Sequence, residues 1–363
     1  MVNVIFAYLI SGVLSASVIP WIISFSLKLK LFDVQDLYRK THVELVSRMG
    51  GISIFFGYFL IMQVYADFNN IDLHALIASS SIMFLLGLKD DLLGGAAPSE
   101  KFIIQLLAAL VLVIFSNLDL DIYLCLIDVP SLCKLMGFGL LACSLLVIVN
   151  AFNFIDGING LAGILGVLVN LFLGSCLVSL GDDEFAISAF VIAGSTTGFL
   201  IYNLIPGKVF MGDSGAMLIG LTTGAICLRF ISLSINSNES PFSSPVLIII
   251  ALLIVPIFDV LRILFIRSLH GKPLLVGDRN HIHHRLRDLG IRDFKVVQIL
   301  VVFTIITVSL VILLQNANIV TISIVLTLLC IFSNTALTYY RGRRLFANYK
   351  FSDILFIDTL NRR

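Results

Sequence analysis

Two neighbouring carboxylates, Asp90 and Asp91, follow directly on the apolar run from Phe84 to Leu88. Carboxylates this close repel each other unless a cation or a hydrogen-bond donor joins them. Mg²⁺ is the natural partner, because it takes oxygen ligands and shares them with phosphates. A solvated pair just past a helix end is the plainer reading. Lys101, at the start of the next apolar run, could hold a phosphate as a point charge or serve only as a topology anchor. Further along, Asn150, Asn153 and Asp156 recur at every third residue, which places them on one face of a helix. Gly157 and Gly160 then let backbone approach a ligand. Polar side chains in line at a membrane helix end are costly unless they meet something, and hydrogen bonds to other helices are the alternative to a ligand. Asp213, in Met211-Gly212-Asp213-Ser214-Gly215, precedes another apolar run. It could cap that helix, or present a carboxylate to a metal at the positive helix end, where phosphates also bind. The densest polar cluster is Asp278-Arg279-Asn280-His281-Ile282-His283-His284-Arg285. Arginine grips phosphates, and His and Asn bind hydroxyls and carbonyls. A zinc site is the rival, but the His-x-His-His spacing is irregular and no Cys accompanies it. Asp259 and Arg262 stand three apart and read as a structural pair.

The elements that must position these residues are membrane helices. Of 363 residues, 58% are hydrophobic and 13% charged, and mean hydropathy is +1.03. A soluble domain cannot bury that much apolar surface. Apolar runs of spanning length occupy 3–27, 50–66, 73–88, 102–117, 135–155, 161–180, 185–203, 214–233, 246–267, 296–314 and 319–340. This predicts an all-α polytopic protein with about eleven transmembrane helices, a single domain over 1–340 and a basic tail over 341–363. The first run has no basic flank and no cleavage site, and reads as a retained helix. Of the 24 Lys and Arg, all but Lys134 and Arg229 fall in segments that alternate onto one side of this arrangement. By the positive-inside rule that side is cytoplasmic, with the N-terminus outside and the C-terminus inside. The four polar motifs lie on that same side. The six cysteines have no metal spacing, and Cys125 and Cys133 share a loop where they could pair.

Taken together, Asp90-Asp91, Asn150 to Gly160, Val209 to Gly215 and Asp278 to His284 resemble the polyprenyl-phosphate N-acetylhexosamine-1-phosphate transferases. Order, spacing and length are most similar to the bacterial undecaprenyl-phosphate GlcNAc-1-phosphate branch. Arg39-Lys40-x-His42 and Arg48-x-Gly50-Gly51 match as well, so the resemblance covers nearly the whole chain. It implies that a UDP-N-acetylamino sugar gives its sugar 1-phosphate to undecaprenyl phosphate, releasing UMP, to begin a cell-envelope glycan such as O-antigen. It implies Mg²⁺, with Mn²⁺ as a substitute, and a cytoplasm-facing cleft in the bacterial inner membrane. By position, Asn153 and Asp213 resemble metal ligands, and Asp90 and Asp91 the acidic pair that orients or activates the lipid phosphate. Asp156, Asn159 and Asn203 match the nucleotide pocket. Lys101 and the segment with Arg279, His281, His283 and His284 match pyrophosphate and sugar contacts, and Arg39 and His42 further substrate contacts.

The sequence departs from that pattern at Asn159, where bacterial relatives usually carry a second Asp, and at Ser47, which replaces a proline. Asn159 keeps the donor and acceptor a uracil edge needs but loses charge. Besides the bilayer, the expected partners are the UDP-sugar and the polyprenyl phosphate. Nucleic acid is not expected, and a homodimer stays open. Direct attack of the lipid phosphate is favoured over an aspartyl-phosphate route, since a phosphate monoester is already largely dianionic at neutral pH. Alternatives are the same chemistry on UDP-GalNAc, UDP-FucNAc or UDP-QuiNAc, or a secondary transporter for a charged metabolite. A transporter would place its ionisable groups near the midplane within paired repeats, and no repeat is evident. A non-catalytic scaffold would not need four convergent polar motifs.

Overall fold

The computed structural model describes residues 2–29, 32–34, 45–65, 67, 69–95, 97–116, 130–205, 208–236, 240–269, 271 and 280–345. These form two compact units, Met1–Pro241 and Phe242–Arg363. The first holds α1 (Val2–Leu29), a two-stranded antiparallel sheet of β1 (Phe32–Val34) and β2 (Leu45–Ser47), and α2 (Gly50–Tyr65). There follow α3 (Ile71–Leu93), α4 (Pro98–Phe115), α5 (Pro130–Ile155), α6 (Leu161–Ser179), α7 (Asp183–Asn203) and α8 (Gly212–Asn236). The second holds α9 (Pro245–Leu252), α10 (Ile254–Leu269), a short α11 (Ile282–Asp288), α12 (Asp293–Leu313) and α13 (Ile319–Leu345).

Among the described residues, nine helices are long and apolar enough to cross a membrane, and ten such spans result if α9 and α10 count as one. The remaining expected run became α2, which is 16 residues long. The outward faces of α1, α4 and α13 carry exposed Leu, Ile, Phe and Val, as lipid-facing helices require. Within the first unit α8 is the most enclosed helix and packs on α2, α3, α5, α6 and α7. Gly12, Gly194 and Gly198 bring α1 and α7 into backbone contact, the small-residue packing usual between membrane helices.

Three expectations need correction. The run 246–267 is not one straight span: α9 and α10 meet at a 76° bend. Pro256 explains it, because it has no N–H to bond the carbonyl of Leu252 and its ring clashes there. The run 73–88 continues as helix to Leu93, so Lys89, Asp90 and Asp91 lie on the last helical turns and not in a loop. Gly94, with φ 76°, ends that helix, and its N–H donates to the carbonyl of Asp90 at 3.1 Å. Arg341, placed with the tail, belongs to α13 and is buried. The proposed Cys125–Cys133 pair lies outside the described residues.

Candidate active site

The first unit gathers its polar motifs at one end of α3, α5, α7 and α8. Residues 47–51 run alongside residues 209–211. The N–H of Phe210 donates to the carbonyl of Ser47 at 2.7 Å, Gly50 donates to Phe210 at 3.0 Å, and Gly51 donates to Met211 at 2.8 Å. The turn that follows places Gly212 at φ 74°, a left-handed conformation that favours glycine. A side chain there would also meet the carbonyl of Arg48 and the carboxylate of Asp91. Gly87 on α3 serves the same close fit: a β-carbon would stand 2.4 Å from the backbone of Ser214.

Asp91 anchors this turn. Its Oδ1 accepts from the N–H of Asp213 at 2.9 Å, and its Oδ2 accepts from the N–H and hydroxyl of Ser214 at 3.0 and 2.6 Å. The first N–H groups of a helix have no partner within it. Here a carboxylate from α3 meets them, at the positive end of α8. Asp213 was expected either to cap α8 or to bind a metal; it lies in the first turn, and Asp91 does the capping across the bundle. Lys101 at the start of α4 joins the other two carboxylates, donating to Asp90 at 2.8 Å and Asp213 at 2.7 Å.

These residues border a cavity of about 320 Å³, near the lower size of small-molecule sites. Asp90, Asp91, Asp156 and Asp213 contribute to its wall, with Arg48 beside them. Asn159, Asn203 and Phe210 line it too. Asp156 lies just past the end of α5, so it does not share a helical face with Asn150 and Asn153 as the spacing predicted. Its burial, and then the charges of Asp213 and Asp91, push its carboxyl well above the ordinary carboxylate range. Asn203 is buried and ties two turns together: its Oδ1 accepts from Gly160 N–H at 2.7 Å and its amide donates to Val209 at 2.9 Å. Asn150 bonds Gln105 at 3.0 Å and the carbonyl of Leu146, the interhelical alternative realised. Asn153 is half-buried and is not among the residues lining the cavity.

The second unit carries its own polar cluster. Asp259 on α10 is fully buried and holds the start of α11. Its Oδ1 accepts from Ile282 N–H at 2.9 Å and Arg262 at 3.1 Å, and its Oδ2 meets His281 Nδ1 at 2.8 Å. The expected Asp259–Arg262 pair is present, but it forms one part of a larger clamp. Arg341 closes the other side, donating to Asn280 Oδ1 at 3.0 Å and Asp288 at 2.7 Å. Arg285 donates to Asn334 at 2.6 Å. His283 is buried beside His284, their ring centres 4.2 Å apart. Burial and His284 push its pKa down to about 3, so the ring is neutral. Neither of its nitrogens has a hydrogen-bond partner among the described residues.

Sequence reasoning found Asp90, Asp91, Lys101, Asp156, Asn159, Asn203 and Asp213 around the cavity. Arg39, His42 and Arg279 lie outside the described residues. It noted Arg48 within Arg48-x-Gly50-Gly51 but gave it no place in the site. It also missed Ser214 and the reach of Asp259 to His281.

Residues 73–231 match the family described as "Glycosyl transferase family 4". The chain is 31% identical over 296 residues to the "Probable undecaprenyl-phosphate N-acetylglucosaminyl 1-phosphate transferase" of Bacillus subtilis (strain 168), covering 80% of this chain and 79% of that protein. It is 32% identical over 277 residues to the "Decaprenyl-phosphate N-acetylglucosaminephosphotransferase" of Mycolicibacterium smegmatis, covering 69% and 68%. The "Phospho-N-acetylmuramoyl-pentapeptide-transferase" of Caldicellulosiruptor bescii is 29% identical over 329 residues, covering 84% and 95%.

Proposed function

Since the chain belongs to glycosyl transferase family 4, whose polytopic members transfer phospho-sugars to polyprenyl phosphate, we propose that it transfers GlcNAc 1-phosphate from UDP-GlcNAc to undecaprenyl phosphate. UMP is released, and the lipid-linked product begins a cell-envelope glycan. The observation that carries this reading is the cavity walled by Asp90, Asp91, Asp156 and Asp213 with Lys101 bridging two of them. The GlcNAc donor is taken from the names of two relatives.

The cavity is assigned to the cytoplasmic face of the inner membrane, where nucleotide sugars are available. The distribution of Lys and Arg supports this. So does Arg229, one of the two basic residues outside that pattern, which sits toward the far end of α8 from Asp213.

The reaction joins two anions, so charge repulsion is the main obstacle. An oxygen of the lipid phosphate attacks the phosphorus that carries the sugar. The bond from that phosphorus to the UMP oxygen breaks, and UMP leaves with the electron pair. The attacking phosphate is already largely dianionic at neutral pH, so no obligate base is needed. Asp91, with both oxygens engaged, keeps α8 and Asp213 in place. Asp90 orients the lipid phosphate, and Lys101, which joins Asp90 to Asp213, holds the diphosphate. Asn159 contacts the uracil edge; His281 and His283, expected from the resemblance to contact sugar and diphosphate, are buried within the second unit.

The cavity wall fits a hard divalent cation, Mg²⁺ or Mn²⁺, because it offers carboxylate oxygens in excess of cations. Among the described residues no three His, Cys, Asp or Glu side chains converge on one point. Water and substrate phosphate would then complete the shell, as is usual for Mg²⁺. Asp213 would hold it; Asn153, the further ligand implied by resemblance, is not among the residues lining the cavity. When bound it supplies charge neutralisation for the transferred phosphoryl group.

The test incubates membranes containing the protein with radiolabelled UDP-GlcNAc, undecaprenyl phosphate and Mg²⁺. A lipid-soluble labelled product with stoichiometric UMP is expected. Labelled UDP-GalNAc and UDP-MurNAc-pentapeptide run in parallel. Product from one of these and none from UDP-GlcNAc would overturn the sugar assignment, and no lipid product from any would overturn the reaction.

A further inference from the structure

We propose that Arg48 is a phosphate-gripping residue of the cavity, and that the chain around it is built to hold it there. This rests on the phosphoryl-transfer reading above. Its neighbours Val46, Ser47, Met49 and Gly50 are all buried, while Arg48 is exposed at the cavity wall. The backbone on both sides of it is fixed. Ser47 bridges to Val209 and accepts from Phe210, and Gly50 and Gly51 donate to Phe210 and Met211. Ser47 Oγ also accepts from Met49 N–H at 3.2 Å and pairs with Ser26 Oγ at 2.7 Å. Arg48 is therefore pinned to the same turn that carries Asp213.

Charge gives the pinning a purpose. Of the described residues lining this cavity Arg48 is the cation, against four aspartates. Lys101 lies close by and bonds both Asp90 and Asp213. A phosphate entering such a wall is repelled by the carboxylates, and a positive charge beside them offsets this. Arginine suits that role, because it stays charged and its planar fork can hold two phosphate oxygens at once. A residue serving only as a topology anchor needs neither a rigid backbone nor a place on the cavity. The ligand chemistry is a phosphate group with two accessible oxygens. It could belong to the nucleotide-sugar diphosphate or to the lipid phosphate.

The experiment compares full-length wild type, Arg48→Gln and Arg48→Lys in membranes, varying UDP-GlcNAc and undecaprenyl phosphate separately. A charge-assisted bond is worth about 1.5–3 kcal/mol, so Arg48→Gln should lose roughly 10- to 150-fold in kcat/KM. Arg48→Lys should recover part of it, having charge but not the fork. A KM rise confined to UDP-GlcNAc assigns Arg48 to the diphosphate. A rise confined to undecaprenyl phosphate assigns it to the lipid phosphate. The inference is overturned if Arg48→Gln keeps both KM values and kcat within about two-fold. It is also overturned if Gln and Lys variants are equally impaired with both KM values unchanged, the pattern of a purely structural role. If Arg48→Gln fails to accumulate, Arg48→Lys decides by the same KM comparison. An inactive wild type would instead remove the reaction reading on which this rests.

Discussion

The first unit has an acidic cluster at each end of the same three helices, and they behave differently. At one end α3 finishes with Asp90 and Asp91, α7 with Asn203, and α8 begins with Asp213. At the other end Asn70 and Asp72 stand at the start of α3, and Asp182 and Glu184 at the start of α7, with Arg229 late in α8. Space does not separate them: each end borders a cavity of about 320 Å³. What separates them is local duty. Asn70 caps α3 by accepting from Leu73 N–H at 3.1 Å, and Asp182 caps α7 by accepting from Phe185 N–H at 3.1 Å. Arg229 then bonds Asp182 at 2.6 Å and reaches Asp72 at 3.5 Å. Asp182 serves its own helix, Glu184 accepts from Asn70 at the start of α3, and Asp182 and Asp72 share an arginine. Around the cavity proposed as the active site, Asp91 serves another segment's helix, Asp90 and Asp213 share Lys101, and Asp156 is buried beside the charges of Asp213 and Asp91. Both ends hold more acids than cations; the candidate site differs in that Asp91 holds the start of another helix, with Lys101 joining acids from two helices beside it.

The sharpest way to break that comparison is to exchange the ends. Asp213→Ala should reduce transfer by about 10³-fold or more, the scale seen when a group stabilising transition-state charge is removed, while the protein stays folded. The radiolabel assay and a thermal unfolding curve read the two halves. Normal activity in Asp213→Ala would remove the assignment. At the other end, Arg229→Ala leaves Asp182 and Asp72 without their cation in a mostly buried setting. We expect a loss of about 2–3 kcal/mol in stability, below the range for a fully buried pair because some solvent reaches it. Specific activity at low temperature should be unchanged. Activity lost without a change in unfolding temperature would mean that the two ends are coupled in a way the local bonding does not explain.

The third test is one of pH. Asp156 titrates well above the ordinary range in the folded protein, pushed up by burial and then by Asp213 and Asp91. Between its unfolded value, about 4, and that raised value, the folded state holds more protons than the unfolded. Stability of the metal-free protein must therefore fall as pH rises through that window. Asp156→Asn should flatten the decline, and added Mg²⁺ should offset it in wild type. Thermal unfolding at pH 5 and pH 8, with and without Mg²⁺, measures both. A decline unchanged by Asp156→Asn would place the excess charge elsewhere.

Much of this was legible in the sequence, because lipid imposes a simple rule. Each long apolar run had to become a helix, and each did, apart from the bend at Pro256. The site residues were legible as types at helix ends. Their bonding was not. Asp91 caps a helix that begins more than a hundred residues later, and no local pattern encodes that partner. Asp259 looked like half of an i, i+3 pair, and its bonds to His281 and Ile282 arise only once α10 and α11 fold together. The continuation of α3 through Asp91 had a local signal in Gly94 and Gly95, yet three charged residues in a row outweighed it. The place of Arg48 at the cavity is not legible locally, because its neighbours along residues 209–211 are distant in sequence.

The smallest expected effect comes from Asn159, where the chain departs from the Asp that resemblance predicted. Asn159 lines the cavity near Asp156. An amide both donates and accepts, so it can meet a uracil edge without charge. Asn159→Asp adds a fifth carboxylate to a wall that already holds four, and it removes a donor. If the position only reads the base, the KM for UDP-GlcNAc should rise by about ten-fold or less, the loss of one hydrogen bond, with kcat little changed. If negative charge is useful there, kcat should rise and the Mg²⁺ needed for half-maximal rate should fall. Titrating Mg²⁺ at fixed UDP-GlcNAc in wild type and Asn159→Asp separates these outcomes. A lower Mg²⁺ requirement would mean that the carboxylate surplus is below what the reaction can use, and that Asn159 sets this enzyme apart from its relatives.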